Sequence, residues 1–367
     1  MDLRFNMPVE VIMNEGCVRK EMDRIASFGT RAIIVSDAIS AASSGAMADV
    51  ISVFEDKGIE YLVFDRVQSN PTAESAREAA RIAKEFKAQF VFAIGGGSSM
   101  DVGKAVTLLV KQETDLSDED MLSGNFINET IPLIAIPTTS GTGSEVTPFA
   151  MLTSYTANRK INLHSSSMYA NLALLDPRYT MTVPYIVTVN TMLDALSHAM
   201  ESLLTVSGTP ILRAIAKESL ANAGAIIRGL LKDREISLEL RELMMYDSVT
   251  AGMVVGQTRT SILHGLSYSL TVHRHLAHGR AIGLLMIPCL KFNASKRPDL
   301  VKEITDAMGI DGLDELEKSL NMLLGEKESF TEDEIALWAD EAATLHNVNN
   351  SIVVPTRNDI VEILREV

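Results

Sequence analysis

Five short apolar runs recur through the first half of this chain, at Arg31–Asp37, Glu60–Asp65, Phe90–Ile94, Ile131–Ile136 and Asn171–Asp176. Between them lie Ala-, Glu- and Lys-rich segments such as Thr72–Lys87, long enough to be crossover helices. A strand that is apolar throughout, with no polar alternation, is buried on both faces, which is the condition of a parallel sheet covered by helices. After Pro177 the texture changes. From about Pro184 the period is helical at nearly every step, over 184–207, 209–232, 235–256 and 330–345, with few strand-like runs. The pattern predicts an α/β domain over residues 1–180 and an all-helical domain over 181–367, with the boundary inside 177–184. At 367 residues and 46% hydrophobic, the chain has enough apolar material for two cores. No internal repeat or low-complexity tract appears, and the charge-rich stretches Asp115–Asp120 and Gly325–Glu334 read as solvated loops or helix faces.

A formal net charge of −15, with no dense Lys/Arg run to reverse it locally, opposes binding to nucleic-acid backbones or anionic membrane surfaces. Cys17 and Cys289 are the only cysteines and form no CxxC pair, which fits a reducing compartment and excludes a cysteine-rich zinc cluster. The first residues lack the charged region and apolar run that export requires, and no apolar stretch reaches the roughly 18 residues of a membrane span. We expect a cytoplasmic protein.

Two stretches carry phosphate-binding character. Phe90–Lys104 is a buried strand running into Gly95, Gly96 and Gly97 and then a helix. Glycines let backbone approach a ligand closely, and a helix N-terminus offers free N–H groups with a partial positive charge, so a pyrophosphate fits there. Neither common motif is satisfied: GxGxxG would need glycine where Met100 stands, and the P-loop pattern would need glycine at Ser98 and a hydroxyl residue at Ala105. The alternative is a plain strand-to-helix turn. Ile136–Glu145 is a second such turn, rich in hydroxyls and glycine. Asp37, ending the first clear strand, stands where a carboxylate accepts hydrogen bonds from an adenosine ribose and repels a 2′-phosphate, which favours NAD over NADP; an ordinary strand-end cap is the competing reading.

Asp194 and His198 are four apart in an apolar helical stretch and project from one face. His264 and His278 are candidates to complete a metal site. Imidazole nitrogens with one carboxylate oxygen suit Fe(II) or Zn(II), whereas Mg(II) and Ca(II) prefer oxygen shells. Taken singly, each histidine is more often structural, and His273 and His275 show that histidine is locally abundant.

The motifs Gly95-Gly-Gly-Ser-x-x-Asp101-x-x-Lys104, Pro137-Thr-Thr-x-Gly-Thr-Gly-Ser-Glu145, Asp194-Ala-Leu-x-His198-Ala-x-Glu201, His264-Gly-Leu and His278-Gly occur in that order. In this combination the chain resembles the iron-containing (group III) alcohol dehydrogenases, from about residue 5 to the C-terminus. The resemblance implies a Rossmann-like nucleotide-binding α/β domain, an all-α C-terminal domain in a dehydroquinate synthase-like architecture, and a cleft holding NAD(P) and one divalent metal. It implies Asp194, His198, His264 and His278 as metal ligands. It implies Asp37, Asn70, Gly96, Gly97, Ser98, Asp101, Thr138, Thr139, Thr142 and Lys160 as cofactor contacts, and a homodimer or larger homo-oligomer as the assembly.

Two positions depart from the pattern. Most members carry a histidine four residues after the third ligand, where it relays a proton; here that residue is Tyr268, with His273 or His275 as other candidates. The glycine that usually precedes the metal Asp by two is Met192. The run Gln257–Tyr268 resembles a sub-branch containing phosphonoacetaldehyde reductases. In it Arg259, about one and a half helical turns before His264, is a candidate to hold a carboxylate, sulfonate or phosphonate, with Arg274 and Arg280 as others. The expected activity is a reversible NAD-dependent alcohol dehydrogenase and aldehyde reductase for a small primary alcohol or aldehyde, neutral or anionic. The alternatives are a glycerol dehydrogenase or dehydroquinate synthase-like enzyme, and a non-catalytic metal- and nucleotide-binding protein.

Overall fold

The computed structural model describes residues 5–155 and 159–367. They form two compact units: Met7–Thr139 with Gly143–Val183, and Pro184–Val367 with Ser140–Thr142 and the start of the chain. The main division, at Val183 and Pro184, lies three residues from the expected one at 180 and 181. The grouping of Ser140–Thr142 with the helical unit has no counterpart in the sequence reading.

The first unit contains β1 (Glu10–Met13), β2 (Arg31–Ser36), β3 (Glu60–Phe64), β4 (Phe90–Gly95), β5 (Leu133–Pro137), β6 (Phe149–Ser154), β7 (Arg159–His164) and β8 (Leu172–Leu175). Six of these make one parallel sheet in the order β1-β8-β5-β4-β2-β3. All five anticipated strands are present, and β4, β5 and β8 are buried along their whole length, as continuous apolar runs require. The longer helices are numbered from here as α1 (Ala46–Lys57), α2 (Ala73–Phe86) and α3 (Gly97–Leu109). Helix α2 is capped by Thr72, whose side chain accepts from Ser75 N–H, and its buried face is all alanine, at 73, 76, 79, 80 and 83. On the sheet, Phe54 of α1 meets Phe92 edge-on with ring centroids 5.2 Å apart. Strands β6 and β7 form a separate antiparallel hairpin.

Strand order positions the loops. β4 pairs with β2 on one side and β5 on the other; from β2 the chain runs outward to β3, and from β4 it runs the opposite way to β5. The carboxyl ends of β2, β4 and β5 are therefore neighbours at a topological switch point, where α/β sheets bind ligands.

The second unit is helical: α4 (Tyr185–Leu204), α5 (Pro210–Lys232), α6 (Leu238–Thr258), α7 (Ile262–His273), α8 (His278–Lys296), α9 (Pro298–Met308), α10 (Gly312–Leu324), α11 (Glu332–Ala343) and α12 (Arg357–Arg365). Helix α4 packs against α5, α6 and α8 and is buried without a break from Met192 to Leu204. A helix enclosed on every side must satisfy each polar group it carries, which makes Asp194, His198 and Glu201 conspicuous. Helix α8 lies close enough to α4 that a β-carbon at Gly279 would sit 1.8 Å from the Asn190 carbonyl oxygen. No helix among the described residues is long and apolar enough to cross a membrane.

Candidate metal centre and nucleotide-binding turns

Four side chains from three helices of the second unit converge. Asp194 and His198 lie one turn apart on α4, His264 lies in the first turn of α7, and His278 opens α8. The Nε2 atoms of His198, His264 and His278 stand 3.6, 3.5 and 3.6 Å from one oxygen, Asp194 Oδ1. A four-coordinate shell with bonds of about 2.1 Å has ligand-to-ligand edges of about 3.4 Å, close to all three separations. Asp194, His198 and His264 are each at least 93% buried. Asp194 Oδ1 and His264 Nε2 are buried with no hydrogen-bond partner, a cost that a cation between them removes. The donor set and these orphaned atoms fit a divalent ion.

The electrostatics agree. Burial drives the His198 imidazole down to about 4 in spite of Asp194, so it is neutral near pH 7 and able to ligate. Burial also opposes charge on His264, but the Glu201 and Asp194 carboxylates outweigh it and push that ring up to about 9. Asp194 is held well below the usual carboxylate range, the three imidazoles overcoming its burial. A cation entering this site would meet the Asp194 carboxylate and would have to displace a proton from His264.

Beside this cluster, the Tyr268 ring stacks on His278 with centroids 6.5 Å apart and planes 18° from parallel. Burial raises its phenol above the ordinary value. His273 stacks on Trp338 and places Nε2 2.9 Å from Glu341 Oε1. Arg274 pairs with Glu334, and Arg280 with Glu328 and two backbone carbonyls, so both guanidinium groups are engaged. Arg259 differs from its expected setting. It is not on a helix continuous with His264 but ends α6, with φ 60° and ψ 178°, and two residues separate it from α7. That backbone region is essentially reserved for glycine. Here it is clamped: Asn350 Nδ2 donates to the carbonyls on both sides, Thr258 at 2.9 Å and Thr260 at 3.0 Å. The Arg259 side chain is exposed and, among the described residues, has no carboxylate partner.

In the first unit, the expected cofactor residues gather at the three neighbouring strand ends. Asp37 follows β2, Gly96 caps α3 after β4, Gly97 and Ser98 form the first turn of α3, and Thr138 and Thr139 follow β5. The packing is close: a β-carbon at Gly95 would lie 3.1 Å from Asp37 Oδ2, and one at Gly96 would lie 3.2 Å from Thr139 Oγ1. Asp37 Oδ1 accepts from the Ile39 and Ser40 N–H groups at 3.0 and 2.7 Å. Lys160, on the hairpin, donates to Asn70 Oδ1 at 3.1 Å and to Thr153 Oγ1 at 2.9 Å. Asp101 accepts from Ser144 Oγ at 2.8 Å and Met151 N–H at 3.0 Å. Lys104, buried beside it, donates to Ser144 and Thr147 and so ties α3 to the second glycine-rich turn, a role its place in the motif did not suggest. Thr142 belongs to the short segment grouped with the helices, where Gly141 N–H donates to Ser248 Oγ at 2.7 Å.

Comparison with known proteins accounts for both halves. The iron-containing alcohol dehydrogenase family profile matches residues 8–177, and the C-terminal profile of the Fe-containing alcohol dehydrogenase family matches residues 188–367. The chain is 31% identical to the choline dehydrogenase of Bacillus subtilis over 310 residues, 84% of this chain and 77% of that one. An iron-containing alcohol dehydrogenase from Thermotoga maritima superimposes with a TM-score of 0.90 at 33% identity, over 99% of this chain and 98% of the other. A sulfoacetaldehyde reductase from Bifidobacterium kashiwanohense, solved in complex with NAD+, does so with a TM-score of 0.88 at 27% identity over the same shares. The chain belongs to the iron-containing alcohol dehydrogenase family and is an oxidoreductase.

Proposed function

We propose that this protein is a NAD- and metal-dependent, reversible alcohol dehydrogenase that reduces a small aldehyde bearing an anionic group. The convergence of three imidazoles on Asp194 Oδ1 carries the metal-dependent part of the reading. When bound, the ion supplies Lewis-acid polarisation of the substrate oxygen and the nicotinamide exchanges the hydride. Asp194, His198, His264 and His278 would hold the ion, Asp194 adding the one negative charge among neutral rings. A phenol keeps its proton at neutral pH and burial reinforces this, so Tyr268, stacked on the His278 ring and hydrogen-bonded to Asn347 and Thr260, is the candidate to hand a proton to the reacting oxygen. His273 is the less favoured relay, since Glu341 already holds its Nε2.

The anion would sit at Arg259. A guanidinium held on a strained, clamped backbone and lacking a carboxylate partner is a ready fork for carboxylate, sulfonate or phosphonate. The relatives do not decide this, because one is named for the cation choline and another for an anionic aldehyde. On the nucleotide side, Asp37, Asn70, Gly96, Gly97, Ser98, Asp101, Thr138, Thr139, Thr142 and Lys160 would contact the cofactor, and the Asp37 charge favours NAD over NADP. Cytoplasmic residence and a homodimer complete the reading; two buried free thiols, Cys17 and Cys289, suit a reducing compartment.

NADH oxidation by Fe(II)-loaded protein under anaerobic conditions tests it, using neutral and anionic aldehydes with parent, Arg259→Lys and Arg259→Ala. We expect turnover of an anionic aldehyde whose KM rises at least tenfold in Arg259→Ala, with Arg259→Lys intermediate. Equal effects on neutral and anionic substrates would remove the anion site, and absence of turnover with every aldehyde would remove the enzymatic reading.

A further inference from the structure

Helix α4 carries another acid on its ligand face. Glu201 follows Asp194 by seven residues and His198 by three, so all three lie along one stripe. Glu201 is 1% exposed and both of its side-chain oxygens are engaged. Oε2 is hydrogen-bonded to His264 Nδ1. Oε1 accepts from Ser261 N–H at 2.9 Å, Ser261 Oγ–H at 2.6 Å and Leu263 N–H at 3.1 Å. Those N–H groups belong to the start of α7, which has no cap from its own N-cap side chain, because the Ser261 hydroxyl points to Glu201 instead. One carboxylate thus caps the helix that bears His264 and grips the ring itself.

We infer that Glu201 is a positioning residue of the metal centre, acting through His264; the inference rests on the metal role proposed above. An ionised carboxylate offers only acceptors, so the shared proton belongs to His264 Nδ1, and the proton that an entering ion would displace is the one on Nε2, the atom facing Asp194. The cap meanwhile fixes where α7 begins and hence where the ring stands. Both tasks need acceptors on both oxygens. A glutamine of nearly the same shape has one acceptor and one donor. With its oxygen toward His264, its NH2 meets the N–H groups of Ser261 and Leu263. With its oxygen toward the backbone, its NH2 meets Nδ1 and favours the tautomer that carries hydrogen on Nε2.

The test is metal binding to the chelator-stripped, refilled full-length protein, read by Co(II) d–d absorption, by titration with Co(II) and Zn(II), and by the melting temperature of the metal-free form. We expect Glu201→Gln to bind Co(II) roughly 10- to 100-fold more weakly and with an altered spectrum, and Glu201→Asp to recover part of the affinity. A purely structural role would lower the melting temperature and leave the Co(II) affinity and spectrum of the folded protein unchanged, which overturns the inference. If Glu201→Gln does not fold, Glu201→Asp decides alone, since parent-like affinity and spectrum with a side chain one methylene shorter are incompatible with a gripped ring. Asp194→Asn separates the two readings: if parent and Asp194→Asn bind Co(II) equally, the metal site itself is wrong, whatever Glu201 does.

Discussion

A β-carbon at position 259 costs stability, because the φ 60°, ψ 178° backbone there suits only glycine. Arg259→Gly is therefore expected to be more stable than Arg259→Ala by about 1–2 kcal/mol, measured by urea unfolding of both variants. Equal stabilities would mean that the turn relaxes and that no strain is held there. None of this strain was legible in sequence, since it depends on an Asn350 side chain about ninety positions away. The convergence of Asp194, His198, His264 and His278 was legible for the opposite reason. An i, i+4 Asp/His pair has one helical geometry, and the later histidines stand in recognisable short motifs. Glu201 was visible in the same motif without a task, because a glutamate on a helix ordinarily faces solvent and nothing local announces that α7 starts beside it. The sequence also suggested that Arg259 and His264 share a helix; the break at 259–261 is held by Glu201 of α4 and by Asn350, groups distant in the chain that spacing does not encode.

At the level of elements, continuous apolar runs made the central strands readable, since burial on both faces leaves no alternation to confuse with a helix. The edge strand β1 was missed because its four residues are mostly half-exposed, and the β6–β7 hairpin because β7 opens on two consecutive charged residues, with buried and exposed positions alternating only from Ile161 onward. The α4–α8 contact was not readable at all. It rests on Gly279, whose missing side chain lets α8 approach the Asn190 carbonyl and sets His278 beside Asp194. Gly279→Ala must push the helices apart, because backbone cannot yield as a side-chain tip does. We expect a loss of about 2–3 kcal/mol, within the range of overpacked cores, together with weaker Co(II) binding. A variant with parental stability and affinity would show that His278 does not depend on that approach.

Across the whole molecule, ionisable groups buried away from the metal centre shape the response to pH. Asp247 on α6 is almost fully buried, accepts from Ser219 Oγ–H at 2.6 Å, and is pushed up by burial to about 7. The unfolded chain releases this proton near pH 4 while the folded chain keeps it until about 7, so the contribution of Asp247 to stability falls as pH rises through that window and stays low above it. Asp247→Asn lacks that loss. The variant should gain on the parent by on the order of 3 kcal/mol between pH 4 and pH 8, measured by urea unfolding followed by circular dichroism; a constant difference would place the titration elsewhere. The division of the chain also has a consequence for its inheritance. Ser140–Thr142 leaves the sheet-bearing unit to pack as part of the helical one, where the backbone of Thr191 stands against Gly141. The two halves are consequently not interchangeable modules. A gene recombined at residue 183 would give the helices of one parent a tripeptide from the other, so recombination within the family is filtered by three residues far upstream of the junction.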